Sequence, residues 1–174
     1  MTDDSTEATP PREYYTADEL VDLALEWGAC ATLTDDDGVV VIELEHSDST
    51  VHLDLGPASQ LYADLLCRAL LFVPSAPHRF CDRWNRFPYY GAFSVVYDEN
   101  DFPQRSEAGF AVRAVKLIEF VRCRRQEDIF LEIMMFWYAI ELMKKGLANG
   151  ETDIAQFAAR REEDGFTKWC RGDA

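Results

Sequence analysis

The sequence lacks the closely spaced cysteines and glycine-rich loops from which many metal and nucleotide sites are built. Its five cysteines are odd in number and never lie closer than 14 residues apart, which excludes a CxxC metal knuckle or redox pair. Each cysteine has apolar neighbours, as is typical of a buried free thiol in a reducing compartment. No glycine pattern of a phosphate-binding loop occurs. We therefore expect no metal ion and no cofactor.

Long apolar runs and a signal peptide are missing as well. The longest apolar run, Ile133 to Ile140, is far shorter than the roughly 20 residues that cross a bilayer. The first residues, MTDDSTEATPPREYY, carry acids where a signal peptide has a basic and then an apolar segment. The sequence thus predicts a soluble, cytoplasmic protein that has no membrane as a partner.

Basic residues are almost absent from the first third of the chain. Met1 to Leu55 contains 15 acids and one base, Arg12, and so carries −14 of the net charge of −15. An anionic surface repels phosphate groups, which argues against nucleic acid as a partner. Solubility and a disordered acidic arm at residues 1–15 are the simplest reasons for this asymmetry.

The chain does contain enough apolar sequence for one folded domain. Hydrophobic residues make up 48% of its 174 residues, which suits a single core. We place this domain at residues 16–148. We expect a C-terminal tail at 149–174 to follow it, with a short helix at about 151–163.

The first half of the domain predicts one helix and then a β-meander. Thr16 and Glu19 form a capping box before a helix at about 17–27. Asp37-Gly38 between two β-rich runs indicates a hairpin. After the turn HSDST, the segment VHLDL alternates apolar with polar residues. Three antiparallel strands are therefore expected.

The second half mixes clear segments with ambiguous ones. SAPHRFCDRWNRF is predicted as a helix that Pro88 ends, YYGAFSVVYDEND as a strand, and the segment at 126–146 as a long helix. Residues 61–73 and about 109–122 carry apolar side chains in a pattern that fits either a helix or a strand. Periodicity alone leaves both possibilities open.

The order of these elements and one short motif resemble the YbjN domain family, whose members are grouped as bacterial sensory transduction regulators. The resemblance rests on PSAPHRFCDRWNRF with its pair Trp84-Asn85, and on YGAFSVVYDE with the turn from Tyr97 to Asp101. It covers about residues 16–146. The turn DENDF departs from the family because it lacks the glycine found there.

The resemblance implies an α+β fold similar to that of class I type III secretion chaperones. In this fold, helices pack on a twisted antiparallel sheet, here of about five or six strands. Residues 61–73 and about 109–122 would then be strands. The resemblance also implies a regulator that binds a partner protein.

Trp84 and Asn85 lie at the end of a predicted helix, immediately before a strand. Helix ends leave backbone groups without helical partners, and an asparagine side chain can both donate and accept hydrogen bonds. We interpret Asn85 as a brace for this structural corner, with a ligand contact as the alternative. Trp84 is expected in the core between helix and sheet.

The best candidate in the sequence for a catalytic nucleophile with its base is Cys81 with His78, which lie one helical turn apart. Cys81, however, shares the apolar face of its helix, as a buried and inert thiol does. No neighbouring residue orients a base or forms an oxyanion site. We therefore expect no catalytic residues and no enzymatic activity.

The predicted helix at 126–146 is apolar over more than one face. One sheet face cannot bury all of its large side chains, and exposed apolar area favours a protein partner or a homodimer. The candidate partner surface consists of Phe130, Met134, Met135, Trp137 and Tyr138. The alternative is a stand-alone structural domain in which the C-terminal tail covers this helix.

Overall fold

The computed structural model describes residues 12–26, 30–36, 38–46, 49–57, 61–87, 90–123 and 126–150. Its helices are α1 (Ala17–Glu26), α2 (Pro77–Trp84) and α3 (Gln126–Ala148). Its strands are β1 (Cys30–Asp36), β2 (Val39–His46), β3 (Ser49–Pro57), β4 (Asp64–Val73), β5 (Ala92–Val95), β6 (Arg105–Ser106) and β7 (Gly109–Glu119). The predicted tail helix at 151–163, and the predicted arm up to residue 11, lie outside the described residues.

Helix α1 begins with the capping box that the sequence predicted. The Thr16 backbone N–H donates to Glu19 Oε2 at 2.9 Å, and the Glu19 backbone N–H donates to Thr16 Oγ1 at 3.2 Å. The two bonds satisfy two amides that an uncapped helix would leave open. The backbone hydrogen bond from Thr16 is the main reason why the pKa of Glu19 lies below its usual value.

The described strands form one antiparallel sheet in the order β1-β2-β3-β4-β7-β5, with the two-residue β6 also paired to β7. At its centre, β4 pairs with β7 from Asp64↔Glu119 to Val73↔Phe110. The ambiguous segments at 61–73 and 109–122 are therefore largely strand, as the family resemblance implied. The sheet has seven strands rather than the predicted five or six, because β6 is too short to leave a sequence pattern.

The two faces of this sheet differ sharply in burial. In β4, the odd-numbered positions from Leu65 to Val73 are buried, whereas the even-numbered positions from Asp64 to Phe72 are exposed or half-buried. Helices α1, α2 and α3 contribute to the same hydrophobic core as the odd-numbered positions. We call this side the covered face and the opposite side the open face.

Each helix covers a different part of the sheet, which confirms an α+β fold. Helix α1 packs on β1 and β2, α2 on β5 and β7, and α3 on β4 and β7. None of the helices in the described ranges combines the length and hydropathy needed to cross a bilayer.

Tyr15, which the sequence analysis places in the disordered arm, is fully buried and forms a β-bridge with Tyr62. The folded part therefore begins before the predicted boundary.

Candidate binding site

Asn85 ties the end of α2 to strand β5. Its side-chain Nδ2 donates to the carbonyl oxygen of Phe93 at 2.9 Å, and its Oδ1 accepts from the Phe93 N–H at 2.7 Å. The side chain thus pairs both backbone groups of Phe93 where helix and strand meet. Trp84 is buried beside it, with its ring 5.6 Å from Tyr90 and 6.1 Å from Phe93.

Replacing Asn85 by alanine should lower the free energy of unfolding by about 1–3 kcal/mol, because two backbone groups of Phe93 lose their partner. Denaturant unfolding followed by circular dichroism measures this loss. Asn100→Ala is a suitable control, since Asn100 lies in an exposed turn and uses its backbone N–H to bond Asp98. An unchanged stability together with loss of binding would instead make Asn85 a ligand contact.

The predicted partner surface on α3 is largely part of the core. Phe130, Met134, Trp137 and Tyr138 are at most 5% exposed, so the expectation that they form an accessible surface is wrong for these four. Met135 alone among the five is half-buried. The prediction compared these side chains with what one sheet face can bury and left cover by the C-terminal tail as the alternative, whereas the structure buries α3 at every position from Phe136 to Met143.

The open face carries two exposed apolar side chains. Leu70 on β4 and Leu117 on the neighbouring β7 are 45% and 56% exposed. Cross-strand neighbours on this face are Leu66↔Leu117, Arg68↔Val115 and Leu70↔Arg113. Apolar and basic side chains therefore alternate across the centre of the sheet. We call this area, on β4 and β7, the basic half of the open face.

Strands β2 and β3 give the same face an opposite charge. Glu43 and Glu45 lie opposite His52 and Thr50 in the β2–β3 register, and Asp54 lies opposite Leu66 in the β3–β4 register. This area is the acidic half of the open face. The open face therefore joins an anionic part to a cationic and apolar part.

A groove opens where β3 and β4 separate. These strands pair only over His52↔Arg68, Leu53↔Cys67 and Asp54↔Leu66, so the start of β3 and the end of β4 do not close the sheet. The groove has a volume of about 500 Å³. Its lining combines the apolar Leu70 and Phe72 with four residues that can carry positive charge: His52, Arg68, Arg113 and Lys144.

Two of these four groups already have acidic partners. Arg68 Nε donates to Asp54 Oδ1 at 3.0 Å and lies 2.9 Å from Oδ2 in the same ion pair. His52 Nδ1 lies 3.3 Å from Glu43 Oε1. These contacts fix both side chains at the border between the acidic and basic halves. They leave less of the positive charge of Arg68 available to an incoming anion.

The side chains of Lys144 and Arg113 make no hydrogen bond or salt bridge within the described part of the chain. Lys144 is half-buried, and this burial lowers the pKa of its ammonium group, although the nearby carboxylate of Glu141 opposes the effect. Glu141 Oε1 forms a salt bridge with Nζ of Lys145, the residue after Lys144, at 3.2 Å. The groove therefore has positive charge that the described residues do not neutralise.

The candidate nucleophile is not activated. Cys81 is buried, and this burial raises the pKa of its thiol to about 11, so that the thiol stays protonated at neutral pH. His78 lies near Tyr97, with its Nδ1 3.5 Å from the Tyr97 hydroxyl. Among the described residues, no cluster of three or more His, Cys, Asp or Glu could hold a metal ion.

Sequence reasoning missed the open face and its groove. The signal was present in β4, where Arg68 and Leu70 alternate with a buried set, and in β7, where Arg113 and Leu117 do the same. It becomes readable only once both segments are known to be strands. The role of Lys144 depends on the separation of β3 from β4, which no local pattern records.

No family model, no curated protein and no solved structure matches this chain. The YbjN resemblance therefore still rests on the order of the elements and on the motif around Trp84 and Asn85. The structure shows the α+β architecture itself. The regulatory and chaperone-like roles remain predictions.

Proposed function

We propose that this chain is a non-enzymatic binding module that contacts a protein through the basic half of its open face. The observation that carries the proposal is the exposure of Leu70 on β4 and of Leu117 on the neighbouring β7, 45% and 56%. The uncovered face of an antiparallel sheet is normally polar, and exposed apolar side chains on it favour a partner. The family resemblance supports a bacterial sensory transduction regulator with a chaperone-like surface.

A second copy of the chain is the partner that the charges favour. In the acidic half Glu45, and in the basic half Arg113, are exposed and have no salt bridge among the described residues, whereas Asp54 and Arg68 pair within the chain. When two such faces meet about a twofold axis, each acidic half can lie against the other's basic half. The apolar side chains of Leu70 and Leu117 would then be buried in the same contact. We therefore propose a homodimer formed through the open face.

A cytoplasmic location is consistent with this proposal. Cys67 and Cys81 are free thiols buried in the core, and Cys30 and Cys123 are also free. Four unpaired cysteines in the described part of the chain are what a reducing compartment favours.

Leu117→Asp should convert the dimer to a monomer, because it places a charge in the centre of the proposed contact. Light scattering over a range of protein concentrations gives the mass directly. Leu131→Asp is the matched control, since Leu131 is 40% exposed on α3 and should leave the dimer intact. Raising the salt concentration should weaken the wild-type dimer, because exposed charge pairs are screened over about 8 Å at physiological ionic strength.

A wild-type chain that is monomeric at every concentration and salt level would contradict the dimer. It would favour the second candidate, a stand-alone structural domain. The observation behind that candidate is the burial of α3 on all sides, including Trp137 and Tyr138 at 0% and 2% exposure, because a helix covered in this way needs no further partner.

A further inference from the structure

We propose that the groove between β3, β4 and the end of α3 binds a carboxylate group that is attached to an apolar body. Lys144 and Arg113 would hold the carboxylate, and Leu70 and Phe72 would contact the apolar part. This proposal deepens the proposed function, since the groove opens on the same face.

Lys144 is the main reason for expecting an anion. Its ammonium group is half-buried and has no salt bridge within the described residues, although burying an unpaired charge is costly. Lys145, the next residue, is exposed and paired with Glu141. An anion in the groove would form a salt bridge with Lys144, as Glu141 does with Lys145.

Arg113 makes a carboxylate a better fit than a single-atom anion. Its guanidinium group can present two parallel N–H donors to the two oxygens of a carboxylate. Arg68, which also lines the groove, is already engaged with Asp54. Arg113 and Lys144 therefore provide the free donors, while Arg68 adds positive potential at the border of the groove.

The rest of the groove has room for an apolar group. A second cavity of about 410 Å³ shares Leu70, Phe72 and Lys144 with the first and continues toward Pro74 and Leu147. The combined space is in the range of cavities that hold small organic ligands, roughly 300–1,000 Å³. A carboxylate on a short aromatic or alkyl chain would place its charge at Lys144 and its carbon atoms along Leu70 and Phe72.

The test uses 4-phenylbutyrate as the probe and its uncharged amide, 4-phenylbutyramide, as the control ligand. Calorimetric titration is carried out at about 0.15 M salt, which screens repulsion between the anionic probe and the chain's net negative charge beyond about 8 Å. We expect the acid to bind about tenfold or more tightly than the amide, since it gains charge-assisted hydrogen bonds. Equal affinity for both ligands, or no binding of the acid, would overturn the proposal.

Lys144→Gln should weaken acid binding about tenfold or more, whereas the matched control Lys145→Gln should leave it unchanged. Arg113→Gln provides a second test at an exposed position, where an effect on folding is small. In the wild type, the pKa of Lys144 measured by NMR should rise when the acid binds, because a neighbouring anion favours the charged form. Equal losses in the two lysine variants would overturn the proposal.

The same titration on Leu117→Asp separates this site from the dimer. If the groove is a site in its own right, this variant should bind 4-phenylbutyrate at least as well as the wild type, because the second copy no longer covers the groove. A chain that is always monomeric but binds the acid would contradict only the dimer. A dimer that dissociates in Leu117→Asp and still fails to bind the acid would contradict only the carboxylate site.

Discussion

Trp137→Ala is expected to lower the free energy of unfolding by about 3–5 kcal/mol. Trp137 is a fully buried side chain on α3, and its helical neighbours Ile133 and Ile140 are 1% and 0% exposed. Truncation would remove most of the apolar area of the indole and leave a cavity that the packed neighbours cannot fill. Denaturant unfolding with a constant m-value measures this loss.

Leu131→Ala on the same helix is the control for this prediction. Leu131 is 40% exposed, so its truncation should cost well under half as much. The comparison decides whether the large residues of α3 form a core or a contact surface. If Trp137→Ala left stability unchanged but abolished self-association, the original interpretation of Trp137 as a partner contact would be restored.

Gly91→Ala is expected to destabilise the fold by about 3 kcal/mol or more, although it adds a single methyl group. Gly91 has a φ of +96°, and a Cβ at this position would lie 2.4 Å from the carbonyl oxygen of Val115. Val115 belongs to β7, which is paired with both β4 and β5, so its backbone cannot move away freely. The same Cβ would lie 3.3 Å from Cε2 of Phe136 on α3.

Gly38→Ala separates the collision from the effect of backbone conformation. Gly38 has a φ of +80°, but a Cβ there would meet no atom within 4 Å. This variant should therefore show only the conformational cost, about 1–2 kcal/mol. The difference between the two melting curves measures the close approach of β7 and α3 to Gly91. Equal losses for the two variants would show that no such collision occurs.

The sequence predicted the elements that carry local signals. Thr16 and Glu19 marked the start of α1, and Asp37-Gly38 marked the β1–β2 hairpin, because capping and turn chemistry depend on a few adjacent residues. Strands β4 and β7 could not be assigned by periodicity. Leu70 and Leu117 place apolar side chains on the open face as well, and this obscures the alternation of a half-buried strand.

The candidate site could not be predicted for a different reason. Lys144 looks like an ordinary C-terminal helix lysine, and Lys145 beside it does have an ordinary ion pair. Lys144, Leu70 and Arg113 come together only as lining of the groove where β3 and β4 separate. The burial of Trp137 was also unpredictable, because it depends on how many elements surround α3 rather than on the sequence of α3.

The central pairing of β4 with β7 has a consequence for synthesis on the ribosome. Its partners are far apart in the chain, from Val73↔Phe110 to Asp64↔Glu119. At typical translation rates of about 5–20 residues per second, β7 is completed roughly 2–10 s after β4. The β1–β2–β3 meander pairs through short turns and can form in this interval, but one edge of β4 must wait. The nascent chain therefore exposes an apolar strand edge for seconds, which is long enough for a ribosome-associated chaperone to bind it.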